Sequence, residues 1–297
     1  MQFFDWFSGL TGFRNIQILQ SDIRMLLRTL SLAFLFSASG VATVLAASVE
    51  DYCSHPIRVA LFEYGILYRS STNDGIDARL LDEIHKRTGC EITRVVLPRN
   101  RIWSELENGS LDLATGAIPT PERRAYGFLL PYLKTRNLVL VRKGQESQIV
   151  TIENLESSNA RVGIVRGFRH EAVYDAIIDR LTKKDRVVKA ADVPELLRLF
   201  DKGIVNVIFS QPIVFGQYLA PDYLASHVTF RDWAPKGDIS VGALILSRKS
   251  FTSGQAKQWD ALIVRLQKDG TLVKIFETFL GRSQARELVY TGPRSAQ

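Results

Sequence analysis

Arg161-Val162-Gly163-Ile164-Val165-Arg166-Gly167 is an apolar run of strand length closed by a glycine, and its neighbours decide how the chain is built. After it comes an amphipathic stretch from His170 to Leu181, a short strand pattern from Arg186 to Lys189, and a helix start at Asp192-Val193-Pro194-Glu195. Asp at the cap, Pro in the first turn and Glu three residues after the cap are start signals. The apolar face that follows is Val193, Leu196, Leu197 and Phe200, and Val205 to Phe209 is the next strand. Strands alternating with helices predict a parallel sheet with right-handed crossovers.

Working outward, the same order occurs once before. Ile57 to Phe62 reads as a strand, and Asp77 to Arg87 as a helix with Leu80, Leu81 and Ile84 on one face, ended by Thr88-Gly89. Ile92 to Leu97 is a second strand, Asn100 to Glu107 a second helix closed by Asn108-Gly109, and Leu111 to Ala114 a third strand. Leu138 to Arg142 is the strand that opens the second series, with a turn or helix start from Thr151 to Leu155. Two α/β units in series predict two lobes, with a ligand at the carboxyl ends of the parallel strands. Toward the end, Ser240 to Leu246 is a strand. Trp259, Leu262, Ile263 and Leu266 mark a helix, and Leu272, Ile275, Phe276 and Phe279 a last one. Residues 284–297 read as a loose tail.

The chain has 297 residues, 46% hydrophobic and 23% charged, which suits a folded protein with a real core and argues against long disorder. A net charge of +7 comes from scattered basic residues, not from a basic block, so the charge reads as a solvated surface and no nucleic-acid partner is expected.

Arg24 and Arg28 precede an apolar stretch of about 15 residues that ends at Val44-Leu45-Ala46, the pattern of a secretory signal peptide. Residues 1–46 are read as that leader, cleaved near Ala46, and a start at Met25 would leave the first 24 or so residues outside it. The stretch is short of the roughly 20 residues a membrane anchor needs. A soluble, periplasmic mature protein is therefore expected. In that oxidising compartment Cys53, just before the first strand, and Cys90, just before the second, are expected to form one disulfide. The charged and bulky residues before Cys53 do not suit a lipid anchor.

His55, His85, His170 and His227 have no metal-site spacing, and no Gly-x-Ser-x-Gly elbow or phosphate loop appears. Nothing selects an acid/base pair among Glu63, Glu122 and Glu171. No enzyme activity, cofactor or metal is expected.

Several segments resemble family 3 of the bacterial extracellular solute-binding proteins, the polar-amino-acid type of ABC importer receptor. They are Gly75-Ile76-Asp77; Leu111 to Gly116 leading into Thr120-Pro121-Glu122-Arg123; Phe128, Pro131 and Tyr132; Asn154-Leu155 followed by Val162 to Gly167; and Asp269-Gly270-Thr271 with Gly281. They run in the family's order over about residues 56–282. The resemblance implies an α/β, type II periplasmic-binding-protein fold: two mixed α/β lobes joined by two crossing strands. Lobe 1 would be 53–134 plus 240–282, and lobe 2 136–238.

The resemblance also implies a site. Arg123 occupies the position that clamps the ligand's α-carboxylate, where a planar guanidinium makes two parallel bonds; alone it would read as an ion-pair partner of Glu122. Gly116 and Gly167 would let backbone N–H groups approach the ligand, and the turn after Val165, opening a helix near Phe168, would be an anion site. Two positions depart from the family. Ile118 stands where a Thr is usual, and Gln211 replaces the acidic partner of the α-ammonium, with Glu63 an alternative source of that anion. Tyr64, Tyr68, Trp103 and Phe168 are candidate ligand covers, Tyr64 and Tyr68 the favoured ones, and Arg101, which with Arg99 flanks the helix start, is a candidate source of positive field, with core packing and a solvated helix end as the plainer readings. The expectation is a monomer that captures a small anionic or amino-acid-like solute and docks on an ABC permease. An exported accessory or sensor subunit is the alternative, with a dehydratase-type enzyme behind it.

Overall fold

The protein is described by a computed structural model covering residues 51–294. The leader assigned to residues 1–46 lies outside the described residues. Among those described, no helix is long and apolar enough to cross a membrane.

The first sheet contains β1 (Ile57–Leu61), β2 (Ile92–Val96), β3 (Leu113–Ala117), β4 (Gly127–Thr135) and β10 (Ser240–Ser247), in the order β2-β1-β3-β10-β4. β1 runs parallel to β2 and β3, and β10 is antiparallel to β3 and β4. The second sheet contains β5 (Leu138–Arg142), β6 (Val162–Val165), β7 (Val187–Ala190), β8 (Val207–Ser210) and β9 (Val228–Arg231), in the order β7-β6-β8-β5-β9. Its parallel trio is β7, β6 and β8, with β5 antiparallel to β8 and β9. Each lobe is thus a parallel trio completed by an antiparallel strand next to a crossing, which is why the C-terminal strand breaks the simple series.

The helices follow the apolar periodicity. In the first lobe α1 (Ile76–Thr88) buries Leu80, Leu81 and Ile84, and α2 (Arg99–Asn108) buries Ile102 and Leu106. The short α3 (Pro121–Tyr126) starts where the Thr120 hydroxyl accepts from the Arg123 backbone N–H. In the second lobe α4 (Ile152–Ser157) carries a Thr151–Asn154 capping box, and α5 (Ala172–Thr182) buries Tyr174, Ile177, Ile178 and Leu181. α6 (Val193–Asp201) has the expected start: the Asp192 carboxylate accepts from Glu195 N–H at 2.8 Å. α7 (Pro212–Phe215) and α8 (Pro221–His227) are short. α9 (Ser253–Lys268), α10 (Thr271–Glu277) and α11 (Arg282–Leu288) return to the first lobe. Cys53 and Cys90 form the expected disulfide, closing a sequence separation of 37.

The crossings are stapled to each other. Arg136, in the first, donates to both carboxylate oxygens of Asp232 at 2.8 Å and to the carbonyls of Ala234, Pro235 and Asp238 in the second. A planar fork suits this work, because several fixed donors meet several fixed acceptors. Beside it, the Asn137 backbone and side-chain amides both donate to the buried Glu171 carboxylate.

Residues 282–294 correct the expectation of a loose tail. Val289 bridges to Leu133 of β4, the Tyr290 N–H donates to the Tyr132 carbonyl, and Arg294 pairs with Asp260 and donates to the Pro131 carbonyl. The physical reason is that Ala285, Val289 and Tyr290 are buried against the first lobe. Too few apolar positions remain at the chain end for periodicity to reveal a helix.

Candidate functional site

The expected site residues lie where the parallel strands end. Glu63 and Tyr64 follow β1, Gly116 and Ile118 close β3, Gly167 and Phe168 follow β6, and Gln211 follows β8. The two lobes meet directly along this line. Trp103 of α2 donates its indole N–H to the Gly167 carbonyl at 2.9 Å, and Ile66 N–H donates to the Ile213 carbonyl at 3.1 Å. Tyr218 accepts from Gly65 N–H at 3.2 Å and donates to Glu63 at 2.8 Å. One cluster of buried apolar side chains runs through the first lobe and into the second, taking in Val165, Val193, Leu197 and Ile213.

Arg123 is buried, 4% exposed, and reaches both lobes. Its guanidinium donates to the Ile118 carbonyl at 2.8 Å and the Gly167 carbonyl at 3.4 Å, and lies 3.8 Å from the Trp103 ring centre. Burial pulls its pKa down to about 10. It makes no ion pair among the described residues, so the plainer reading as a partner of Glu122 does not hold; Arg169 sits 3.6 Å from Glu122 instead.

Gly167 has φ +80°, and a Cβ there would sit 2.8 Å from the Asn100 Cα. Only glycine allows this approach of backbone to backbone. The turn does not open a helix near Phe168, as the sequence suggested. α5 starts at Ala172, and the Phe168 N–H is bonded to the Val165 carbonyl. The turn therefore offers the cleft a carbonyl acceptor rather than free donors. The Gly116 N–H is likewise engaged by the Tyr132 hydroxyl at 3.2 Å.

The aromatic candidates separate. Tyr64 lies between Phe62 and Phe168, with ring centres 5.2 and 5.1 Å away. Its hydroxyl pKa is raised by burial. Tyr68 is buried in its own loop and donates to Asn73 at 2.9 Å. Glu63 accepts from the Ser70 N–H and hydroxyl as well as from Tyr218, so its oxygens are already engaged. Gln211 is buried with its side-chain oxygen unpartnered.

Arg101 is corrected by its surroundings. It is exposed, pairs with Glu105 one turn on at 2.6 Å, and lines neither of the two interlobe cavities described next. The neighbouring Arg99 holds the central place: it is 2% exposed and donates to the Gly116 carbonyl at 2.6 Å. Its guanidinium lies 3.8 Å from the Phe62 ring centre, 4.6 Å from Trp103 and 5.3 Å from Phe168. Burial, and then the Arg123 charge, pull its pKa down to about 9, which leaves it a cation at neutral pH. Beyond it, Asp77 accepts from the Tyr132 hydroxyl at 2.5 Å, and burial raises its pKa to about 6.

Besides a smaller cavity of about 330 Å³ that Arg123 lines with Glu122, Gly167 and Arg169, two cavities flank the lobe contact. One, of about 470 Å³, is lined by Phe62, Glu63, Tyr64, Arg99 and Phe168 with the α6 start from the second lobe. The other, of about 510 Å³, lies on the hinge side against Ile118, His170, Glu171, Asp238 and Arg294. No group of three or more metal-ligating side chains occurs among the described residues.

The profile of the bacterial extracellular solute-binding proteins, family 3, matches residues 60–282. A probable histidine-binding protein of Campylobacter jejuni is 28% identical over 144 residues, 48% of this chain and 54% of that protein. The chain thus spans about half the length of this curated relative. Among solved structures, the amino acid ABC transporter substrate-binding protein AbpA of Streptococcus pneumoniae, bound to L-arginine, superposes with TM-score 0.62 at 19% identity. The match covers 78% of this chain and 95% of that one. The GluR0 ligand-binding core of Nostoc punctiforme with L-glutamate gives 0.61 at 18%, covering 76% and 99%. An ancestral amino-acid-binding protein, a precursor of cyclohexadienyl dehydratase, gives 0.61 at 18%, covering 75% and 95%. At these identities the structural likeness speaks to the fold, a type II periplasmic-binding architecture.

Proposed function

The chain belongs to family 3 of the bacterial extracellular solute-binding proteins, and from that premise we propose that it is a periplasmic receptor for a small carboxylate-bearing solute, which it delivers to an ABC permease. The observation that carries this reading is Arg123: buried, at the motif position, and paired with no carboxylate among the described residues. A buried guanidinium is costly unless an anion completes it. In this reading lobe opening frees Arg123 from the Gly167 carbonyl, a solute carboxylate takes that place, and hinge closure follows. Neutral Gln211, where the family carries an acid, favours a solute without an α-ammonium.

The test is native mass spectrometry for a carried-over ligand, with thermal shifts against amino acids and their deaminated acids. A ligand at 100 times its Kd stabilises by about 2.7 kcal/mol, which raises Tm by roughly 5–10 °C for a protein of this size. No shift with any acid or amino acid would count against the proposal.

A second reading draws on the lobe contacts themselves, since Trp103 and Arg123 both donate to the Gly167 carbonyl. A receptor built to stay shut would act through a protein partner, as an exported accessory or sensor subunit. Co-purification with a dehydrogenase or sensor kinase instead of a permease selects it.

A further inference from the structure

Arg99 is the one arginine of the cleft whose donors are left over. Its Nη2 donates to the Gly116 carbonyl, while Nε and Nη1 are buried and have no partner. Among the described residues no carboxylate lies within ion-pair distance of it, although the Asp77 charge acts on it from farther off. Its place is fixed on every side. Pro98 and α2 hold its backbone, the Phe62 ring lies against its plane, and Trp103 and Phe168 close the remaining faces. A guanidinium held this way has lost its freedom before any ligand arrives, so an incoming anion orders little.

The cavity it lines is largely apolar: Phe62, Tyr64, Val165 and Phe168 are among its walls. Of its carboxylates, Glu63 is engaged by Ser70 and Tyr218, and one oxygen of the exposed Asp192 by the start of α6. A small organic acid with an apolar or aromatic body fits this chemistry, its carboxylate meeting the spare N–H groups and its body meeting the rings.

We propose that Arg99 is a second anion-anchoring and specificity-determining residue of the solute site, selecting carboxylates with an apolar or aromatic body. This rests on the solute-binding reading and adds to Arg123 a contact in the adjoining cavity.

The experiment titrates the wild-type protein calorimetrically with benzoate, phenylacetate and hexanoate, and with the primary amide of each. The expected result is binding of at least one acid, tenfold or more tighter than its amide. Arg99→Gln should cut that preference by about threefold or more, leaving the part that Arg123 supplies, and Arg99→Lys should restore some of it. Unchanged acid preference in a folded Arg99→Gln protein overturns the assignment of Arg99 but not the receptor. Binding of polar amino acids with none of the three acids overturns the solute class, again leaving the receptor. Failure of the wild type with these acids and with the amino-acid panel takes the receptor reading down as well. If the substitutions prevent folding, a crystal structure of the wild type with phenylacetate decides. A carboxylate oxygen on Nε or on Nη1 of Arg99 supports the proposal, and a carboxylate on Arg123 alone overturns it.

Discussion

The two walls of the cleft are built from different materials. The first-lobe wall carries Arg99 and Arg123, with Glu63 at its edge and Asp77 behind. The second-lobe wall offers a backbone carbonyl at Gly167, the Phe168 ring and a neutral Gln211. Buried positive charge is thus concentrated on the first-lobe side, while the second lobe sets the carboxylates of Glu171 and Asp192 against the flanking cavities. On the proposed solute-binding reading the division predicts an order of events: a charged solute is held first by the disulfide-bonded lobe, and the second lobe adds shape when it closes. It also says where changes should act on binding and where on stability.

Arg123→Ala strikes the comparison hardest. Affinity for a carboxylate ligand should fall by about 2–5 kcal/mol, as when one member of a buried charge pair is removed. Calorimetry that finds no loss would mean that the first wall does not carry the charge recognition. Next is the disulfide, which lies wholly within the first lobe. Cys53→Ser with Cys90→Ser should lower stability by about 3–4 kcal/mol through loss of chain-entropy restraint. Urea denaturation measures this, and ligand affinity per folded molecule should stay the same.

Gly65→Ala tests closure alone. Gly65 has φ +58°, and a Cβ would meet the Ile213 carbonyl oxygen at 2.4 Å across the lobe contact. The expected cost is about 2–3 kcal/mol, felt by the closed form. Small-angle scattering should show a larger radius for the variant, and an unchanged radius would remove this glycine from the closing surface.

The smallest effect concerns the charge behind the first wall. The Asp77 pKa is raised to about 6, so the folded state holds its proton more tightly than the unfolded chain. The charged form is therefore destabilising above pH 6, and stability is regained as pH falls from 6 toward 4. Asp77→Asn should be more stable than wild type by about 2 kcal/mol at pH 7.5, because a shift of about two pKa units corresponds to about 3 kcal/mol and about 1 kcal/mol is lost as the charged acceptor of the Tyr132 hydroxyl becomes a neutral one. The gap should narrow by pH 5 in parallel urea titrations.

Much of the scaffold was legible because apolar spacing and glycine stops are local signals. α6 is the clearest case, with its cap, proline and apolar face all where Asp192 to Phe200 places them. The chain end at 284–294 was not legible, because it is held by long-range contacts, Val289 on β4 and Arg294 on Asp260 of α9, rather than marked by its own periodicity. At the lobe contact, motif order picked out Arg123, which is buried there, while of the two arginines at the start of α2 the sequence reading favoured Arg101, which is exposed, over the buried Arg99. A signal was present. Arg99, Ile102 and Leu106 are spaced three and four apart and share the buried face of α2, while Arg101 lies on the face of Glu105. Tyr218 could not be foreseen from local pattern, because its bond to Glu63 joins residues 155 apart in the chain.

Trp103 gives the lobe contact a spectroscopic consequence. Of the three tryptophans among the described residues, Trp233 and Trp259 bond within their own lobes, to the Val150 and Tyr52 carbonyls, and Trp103 alone reaches across to the other lobe. When the lobes part, its indole exchanges the Gly167 carbonyl for water while keeping the Arg123 guanidinium of its own lobe. Its emission should move to longer wavelength and become accessible to iodide, while the other two stay constant. The receptor thereby carries an intrinsic optical gauge of its own opening, readable in a cuvette without any label.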